Sequence, residues 1–139
     1  MARIIAIDYG TKRTGLAVTD PLKIIASPLT TVPTKDLIIY LKEYFLQEDV
    51  ELIVIGMPKN LSNQDTHSTS SVKKVIQKLN QAFPDKKVSE IDERFTSKIA
   101  FDAMIEGGLK KKDRKNKSTI DKVSAAVILQ SYLEANSSI

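Results

Sequence analysis

A chain of 139 residues with 42% hydrophobic and 27% charged residues can bury a real core, which makes a folded domain the default over disorder and leaves no room for a second full domain; one domain over 1–139 is expected. The absence of cysteine excludes disulfides, thiolate metal sites and cysteine catalysis, and no apolar stretch approaches membrane-spanning length, so a cytoplasmic protein is expected. The formal charge of +4 is concentrated in one segment: Lys110, Lys111, Lys112, Arg114, Lys115 and Lys117 flank a single acid, Asp113, and leave 15 basic against 16 acidic residues elsewhere.

Ile4-Ile5-Ala6-Ile7 runs into Asp8, Tyr9 and Gly10, the pattern of a buried strand ending at a sheet edge. Gly15 to Val18 gives a second apolar run after a short polar link, which predicts a hairpin. A third strand is expected over Ile24-Ile25-Ala26 and Leu29 to Val32; Pro28 and Pro33 put it at an edge. Thr34 is placed to cap a helix reaching Gln47, with Leu37, Ile38, Leu41, Tyr44 and Phe45 on one face. Leu52-Ile53-Val54-Ile55 reads as a central strand stopped by Gly56-Met57-Pro58. Asn60 to Ser71 reads as a loop, and a second helix follows with Val72, Val75, Ile76, Leu79 and Phe83 inward.

A short strand is expected over Lys87 to Asp92, then a helix capped by Thr96 or Ser97 and ended by Gly107-Gly108. After the basic loop, Ser118 starts a last helix whose apolar residues spread over more than one side, the mark of burial. Three meandering strands followed by alternating helices and strands predict an α/β fold. Its sheet is five-stranded and mixed, in the order 3-2-1-4-5 for right-handed crossovers, with helices on both faces.

That topology brings distant acids toward one edge. Asp8 ends the first strand, Glu93 follows the fifth, and Asp121 lies in the first turn of the last helix. Each also has a structural explanation: Asp8 as a turn cap, Glu93 paired with Arg94 or another base, and Asp121 in a capping box with Ser118. Converging carboxylates raise one another's pKa unless a cation neutralises them. Oxygen donors without cysteine suit Mg²⁺ or Mn²⁺, and such a site suits phosphoryl chemistry. His67, the single histidine, sits in a Ser/Thr-rich segment and reads as a surface residue. The basic segment favours polyanions through counterion release, or is a solvated surface loop.

Four ordered motifs carry a more specific signal. Asp8-Tyr9-Gly10-Thr11-Lys12-Arg13-Thr14-Gly15-Leu16-Ala17, Gly56-Met57-Pro58, Asp92-Glu93-Arg94-Phe95-Thr96-Ser97 and Asp121-Lys122-Val123-Ser124-Ala125-Ala126 together resemble the YqgF family over nearly the whole chain. The resemblance implies an RNase H-like nuclease that processes pre-16S rRNA or resolves Holliday junctions. It implies Asp8, Glu93 and Asp121 as the acidic metal-binding set, with Arg13, Arg94 and Thr96 in or beside the site. The fourth strand ends without the glutamate that junction resolvases of the related fold place there, and Asn60 to Asp65 lacks the glycine many relatives carry.

The working expectation is metal-dependent phosphodiester hydrolysis of structured RNA or branched DNA. Lys12, Arg13 and Arg94 would contact phosphate oxygens and the Lys110 to Lys117 loop would hold the backbone without reading sequence. Symmetric junction cleavage would require a homodimer. Two rivals stand beside it. One is a catalytically silent nucleic-acid-binding module. The other is a nucleotide-binding ATPase of the same core, suggested by Asp8-Tyr9-Gly10-Thr11; the chain lacks the duplicated core and second phosphate motif of that group.

Overall fold

The computed structural model describes residues 2–57, 67–92 and 117–135. In chain order these form β1 (Arg3–Asp8), β2 (Arg13–Thr19), β3 (Ala26–Pro33), a 3-10 turn (Thr34–Asp36), α1 (Leu37–Gln47), β4 (Val50–Met57), α2 (His67–Ala82), β5 (Lys87–Asp92) and α3 (Lys117–Ala135). The strands make one sheet in the order β3-β2-β1-β4-β5. β1 pairs antiparallel with β2 and parallel with β4, while β2–β3 is antiparallel and β4–β5 parallel. The mixed sheet and strand order expected from the sequence are those observed.

Side-chain alternation along the strands divides the core in two. Ile5 and Ile7 of β1, with Leu16, Val18, Ile53 and Ile55, face one side, where Leu37 and Leu41 of α1 and Val72, Val75 and Leu79 of α2 cover them. Phe45 and Phe83 close the far end of that layer in an edge-on contact, ring centroids 4.8 Å apart. Ile4, Ala6, Ala17, Ala26 and Val54 face the other side and pack against Ala125, Ala126, Ile128 and Leu129 of α3. Facing alanines let helix and sheet approach closely, and burial of Val123 and of Ala125 through Leu129 accounts for the broad apolar girth of α3.

At the start of β1 the parallel register shifts between Arg3 and Ile4. The Ile4 N–H there donates to the buried Thr19 Oγ1 at 3.0 Å, and Arg3 reaches both the Thr19 carbonyl (2.9 Å) and Glu48 (3.2 Å). A polar threonine is thus kept inside the sheet because the Ile4 N–H, beyond the last β1–β2 pair Ile5–Val18, offers it a donor.

Four local expectations are corrected. Ile24 and Ile25 are not in β3 but in the loop before it, 64% and 60% exposed. The Asp20 carboxylate captures the N–H groups of Leu22, Ile24 and Ile25 at 3.2, 2.9 and 2.8 Å, offering the backbone an alternative to the ladder. Thr34 does not cap α1: the N-cap is Asp36, without a side-chain cap hydrogen bond, and the Thr34 hydroxyl serves the β1–β2 turn. Residues 67–71, expected in a loop, form the first turn of α2. Gly56 and Met57 continue β4 because Ile91 and Asp92 of β5 pair with them. The helix expected after Thr96 and the loop proper from Lys110 lie outside the described residues. Among those described, no helix is long and apolar enough to cross a membrane.

Candidate active site

The alternation that buries Ala6 beneath α3 carries Asp8 to the same face and sends Tyr9 to the α1/α2 face, where it packs partly buried against the core. Asp8 is the last residue of β1 and is half-buried. Across the hairpin it pairs with Gly15. On the parallel side Ile7 pairs with Ile55, so the next residue of β4 is Gly56, which in turn pairs with Ile91. Both strand neighbours of Asp8 therefore lack side chains, and nothing grows from them to crowd its carboxylate. β1, β4 and β5 run parallel and end at this edge, the place where open α/β sheets hold their ligands.

The turn that follows is fixed by two devices. Gly10 lies so close to the chain ahead that a Cβ would meet the Arg13 carbonyl oxygen at 2.4 Å, so only glycine fits without a backbone shift. Thr34, from the β3–α1 junction, ties the turn down: its Oγ1 donates to the Gly10 carbonyl at 2.5 Å and its N–H donates to the Lys12 carbonyl at 3.1 Å. With the Thr34 proton committed to Gly10, the 2.9 Å contact between the two threonine hydroxyls has the fully buried Thr14 as donor. Lys12 and Arg13 are therefore held within five residues of Asp8 on a braced turn; Lys12 is exposed and Arg13, the first residue of β2, is half-buried.

Of the other expected site residues, Asp121 is the fifth residue of α3, one turn ahead of the buried Ala125. Lys117 is its first residue. Glu93, Arg94, Thr96, Lys110, Lys111, Lys112, Arg114 and Lys115 lie outside the described residues; Glu93 directly follows Asp92, the end of β5. Among the described residues no three His, Cys, Asp or Glu side chains come together. The structure thus brings Asp8, Lys12 and Arg13 to one edge, a carboxylate and two cations on one strand end and the turn that follows it.

On the opposite face of the same edge the turn borders a cleft of about 320 Å³. Tyr9, Thr11, Lys35 and Lys78 stand around it, and Leu37, Ile38 and Val75 contribute apolar lining. Sequence reasoning missed this cleft because its residues come from the β1–β2 turn, the 3-10 turn, α1 and α2, and only tertiary packing collects them. Thr34 was readable as a hydrogen-bonding residue; that its partner is a turn 24 residues earlier was not.

Comparison with known proteins adds a consistent set of similarities. A family model described as "RuvX: Holliday junction resolvase" matches residues 2–135. A protein of Flavobacterium johnsoniae, provisionally named a pre-16S rRNA nuclease, is 52% identical over 135 residues, covering 97% of this chain and 98% of its own. A Phocaeicola vulgatus protein with the same provisional name is also 52% identical over 135 residues, covering 97% of each chain. Among solved structures, Thermus thermophilus RuvC bound to a Holliday junction substrate is similar at a TM-score of 0.61 and 15% identity, over 98% of this chain and 97% of that one. A further T. thermophilus RuvC structure has a TM-score of 0.57 at 16% identity, over 96% of both chains. At that identity the likeness to RuvC is one of fold.

Proposed function

The chain belongs to the RuvX Holliday junction resolvase family, the YqgF family whose motifs it carries, and from that membership we propose that it is an endonuclease hydrolysing phosphodiester bonds of nucleic acid in a divalent-metal-dependent reaction. The observation that carries the reading is a half-buried Asp8 at the carboxyl end of β1, flanked by glycines and followed by a braced turn bearing Lys12 and Arg13, in a chain matched by the family over residues 2–135. The domain is taken as residues 1–139 and its setting as the cytoplasm. Pre-16S rRNA is the preferred substrate, because the curated relatives at about half identity carry that name; a four-way DNA junction is the second.

The donor set fits a hard divalent cation: Asp8 offers carboxylate oxygen at a sheet edge between two glycines, and Glu93 and Asp121 would complete an all-oxygen set for Mg²⁺ or Mn²⁺. Bound there, the cation would neutralise phosphoryl charge and make water more acidic. The protein's own part is positional. Asp8 fixes the anionic end of a rigid strand, Lys12, Arg13 and Arg94 would hold phosphate oxygens, and Thr96 is assigned to the same site by the family resemblance. The segment from Lys110 to Lys117 binds backbone phosphates, bringing substrate to the edge with little regard for sequence.

The test is cleavage of a precursor rRNA fragment, a four-way junction, a duplex and a single strand by purified protein, with Mg²⁺, Mn²⁺ or EDTA. Cleavage is expected with metal and none in EDTA. Asp8→Asn should lose more than the roughly 10- to 100-fold that removal of an outer-shell partner costs a metal site. Full activity in Asp8→Asn or in EDTA refutes the assignment. Binding without cleavage of any substrate favours the silent nucleic-acid-binding module.

A further inference from the structure

The cleft beneath Tyr9 has no part in the chemistry assigned to Asp8, yet it opens at the same edge. Its volume of about 320 Å³ stands at the lower end of small-ligand sites, room for one nucleotide unit and too little for a duplex. The lining has two characters. Leu37 and Val75 are buried core residues and Tyr9 is a half-buried ring, which together give an aromatic and aliphatic wall. Lys35 and Lys78 are exposed, neither forms an ion pair among the described residues, and no Asp or Glu is among the lining residues described. Thr11 adds an exposed hydroxyl. Cations and a hydroxyl around an aromatic and aliphatic wall suit an anion joined to a planar group.

We propose that this cleft binds one unpaired nucleotide next to the scissile bond, its base against Tyr9 and the apolar wall and its phosphate between Lys35 and Lys78. The inference rests on the nuclease reading and narrows its substrate to nucleic acid with a single-stranded segment at the cut. Consecutive residues of an extended chain point to opposite faces. A strand crossing the end of β1 would therefore meet Asp8 on one side of the edge and Tyr9 on the other. Stacking on a tyrosine tolerates any base, so the cleft would select unpaired structure over sequence.

The experiment uses the full chain in EDTA, which separates binding from cleavage. Probes are a short single-stranded RNA carrying one 4-thiouridine and a blunt duplex of the same sequence. Lys35→Gln/Lys78→Gln should weaken single-strand binding and lower its log–log salt slope by about 0.7 for each phosphate that is no longer neutralised, leaving duplex binding unchanged. An equal weakening on both probes, or none on either, overturns the proposal. Irradiation of the wild-type complex should cross-link the thiouridine to Tyr9. Cross-links confined to the Lys110–Lys117 peptide overturn it independently of any variant. Wild-type cleavage with metal, in the absence of a Tyr9 cross-link, would sink the cleft and spare the nuclease; a Tyr9 cross-link with no cleavage of any substrate would do the reverse.

Discussion

Thr34→Val keeps the shape of the side chain and removes one hydroxyl. In the folded protein that oxygen donates to the Gly10 carbonyl and accepts from Thr14, while the Thr34 N–H bond to Lys12 is untouched by the change. Thr14 is fully buried, so its hydroxyl is left without an acceptor, a penalty of about 1–3 kcal/mol. Gly10 is half-exposed and water can replace the missing donor, adding no more than about 1 kcal/mol. The expected total is about 1–4 kcal/mol, or a fall in Tm of roughly 3–14 °C for a chain of this size. Thr14→Val should cost only about 1 kcal/mol, since Thr34 still holds Gly10. The double variant should be less destabilised than the sum of the singles, because removing both hydroxyls leaves no orphan. Urea denaturation of the four proteins measures this cycle. A destabilisation below about 0.5 kcal/mol in Thr34→Val, or additivity within about 0.3 kcal/mol, would show that the two threonines do not brace the turn.

Gly10→Ala should destabilise by about 1–3 kcal/mol and lower kcat/KM for cleavage, since its methyl group meets backbone and the turn next to Asp8 must move; unchanged stability and kinetics would refute the close approach. Replacing Lys111, Lys112 and Lys115 with Gln should flatten the salt dependence of duplex binding by about 0.9 in log–log slope for each phosphate left unneutralised, and an unchanged slope would move the binding surface elsewhere. The N–H of Ile25 foremost holds the Asp20 carboxyl below its ordinary 3.8 against an opposing effect of desolvation, helped by the N–H groups of Ile24, of Asp20 itself and of Leu22. A depressed folded value means that the stabilisation is complete above the ordinary carboxylate pKa and fades as pH falls through the folded one. Amide protection of Leu22, Ile24 and Ile25 should therefore drop on acidification below about pH 3.8, and Asp20→Asn should abolish that step. Leu129→Ala, deep under the sheet, should cost about 2–5 kcal/mol by thermal denaturation; under 1 kcal/mol would mean that α3 is not fixed by this packing.

The sheet was legible because its signals are local and strong: a four-residue apolar run, a short glycine-bounded link and a sequence of connections that permits few topologies. Asp8 was legible as a candidate for the same reason, standing where such a run ends. Ile24 and Ile25 misled because apolar character alone does not reveal that a carboxylate four and five residues earlier captures their amides. Thr34 misled in the same way, its residue type announcing a hydrogen bond and not the partner. The start of α2 was obscured because serine and threonine suit both loops and helix beginnings. The cleft has no sequence signal, since its wall is assembled by packing from two turns and two helices.

The alanines between α3 and the sheet work as a gauge block. Ala6, Ala17 and Ala26 below and Ala125 and Ala126 above set the height at which the whole helix rides, and hence the level of every residue position along it, Asp121 included. A larger residue at any of these five places would lift the helix like a shim and shift that position relative to the sheet. Impaired catalysis would then come from sites that touch no substrate, and a compensating smaller residue across the seam could restore it.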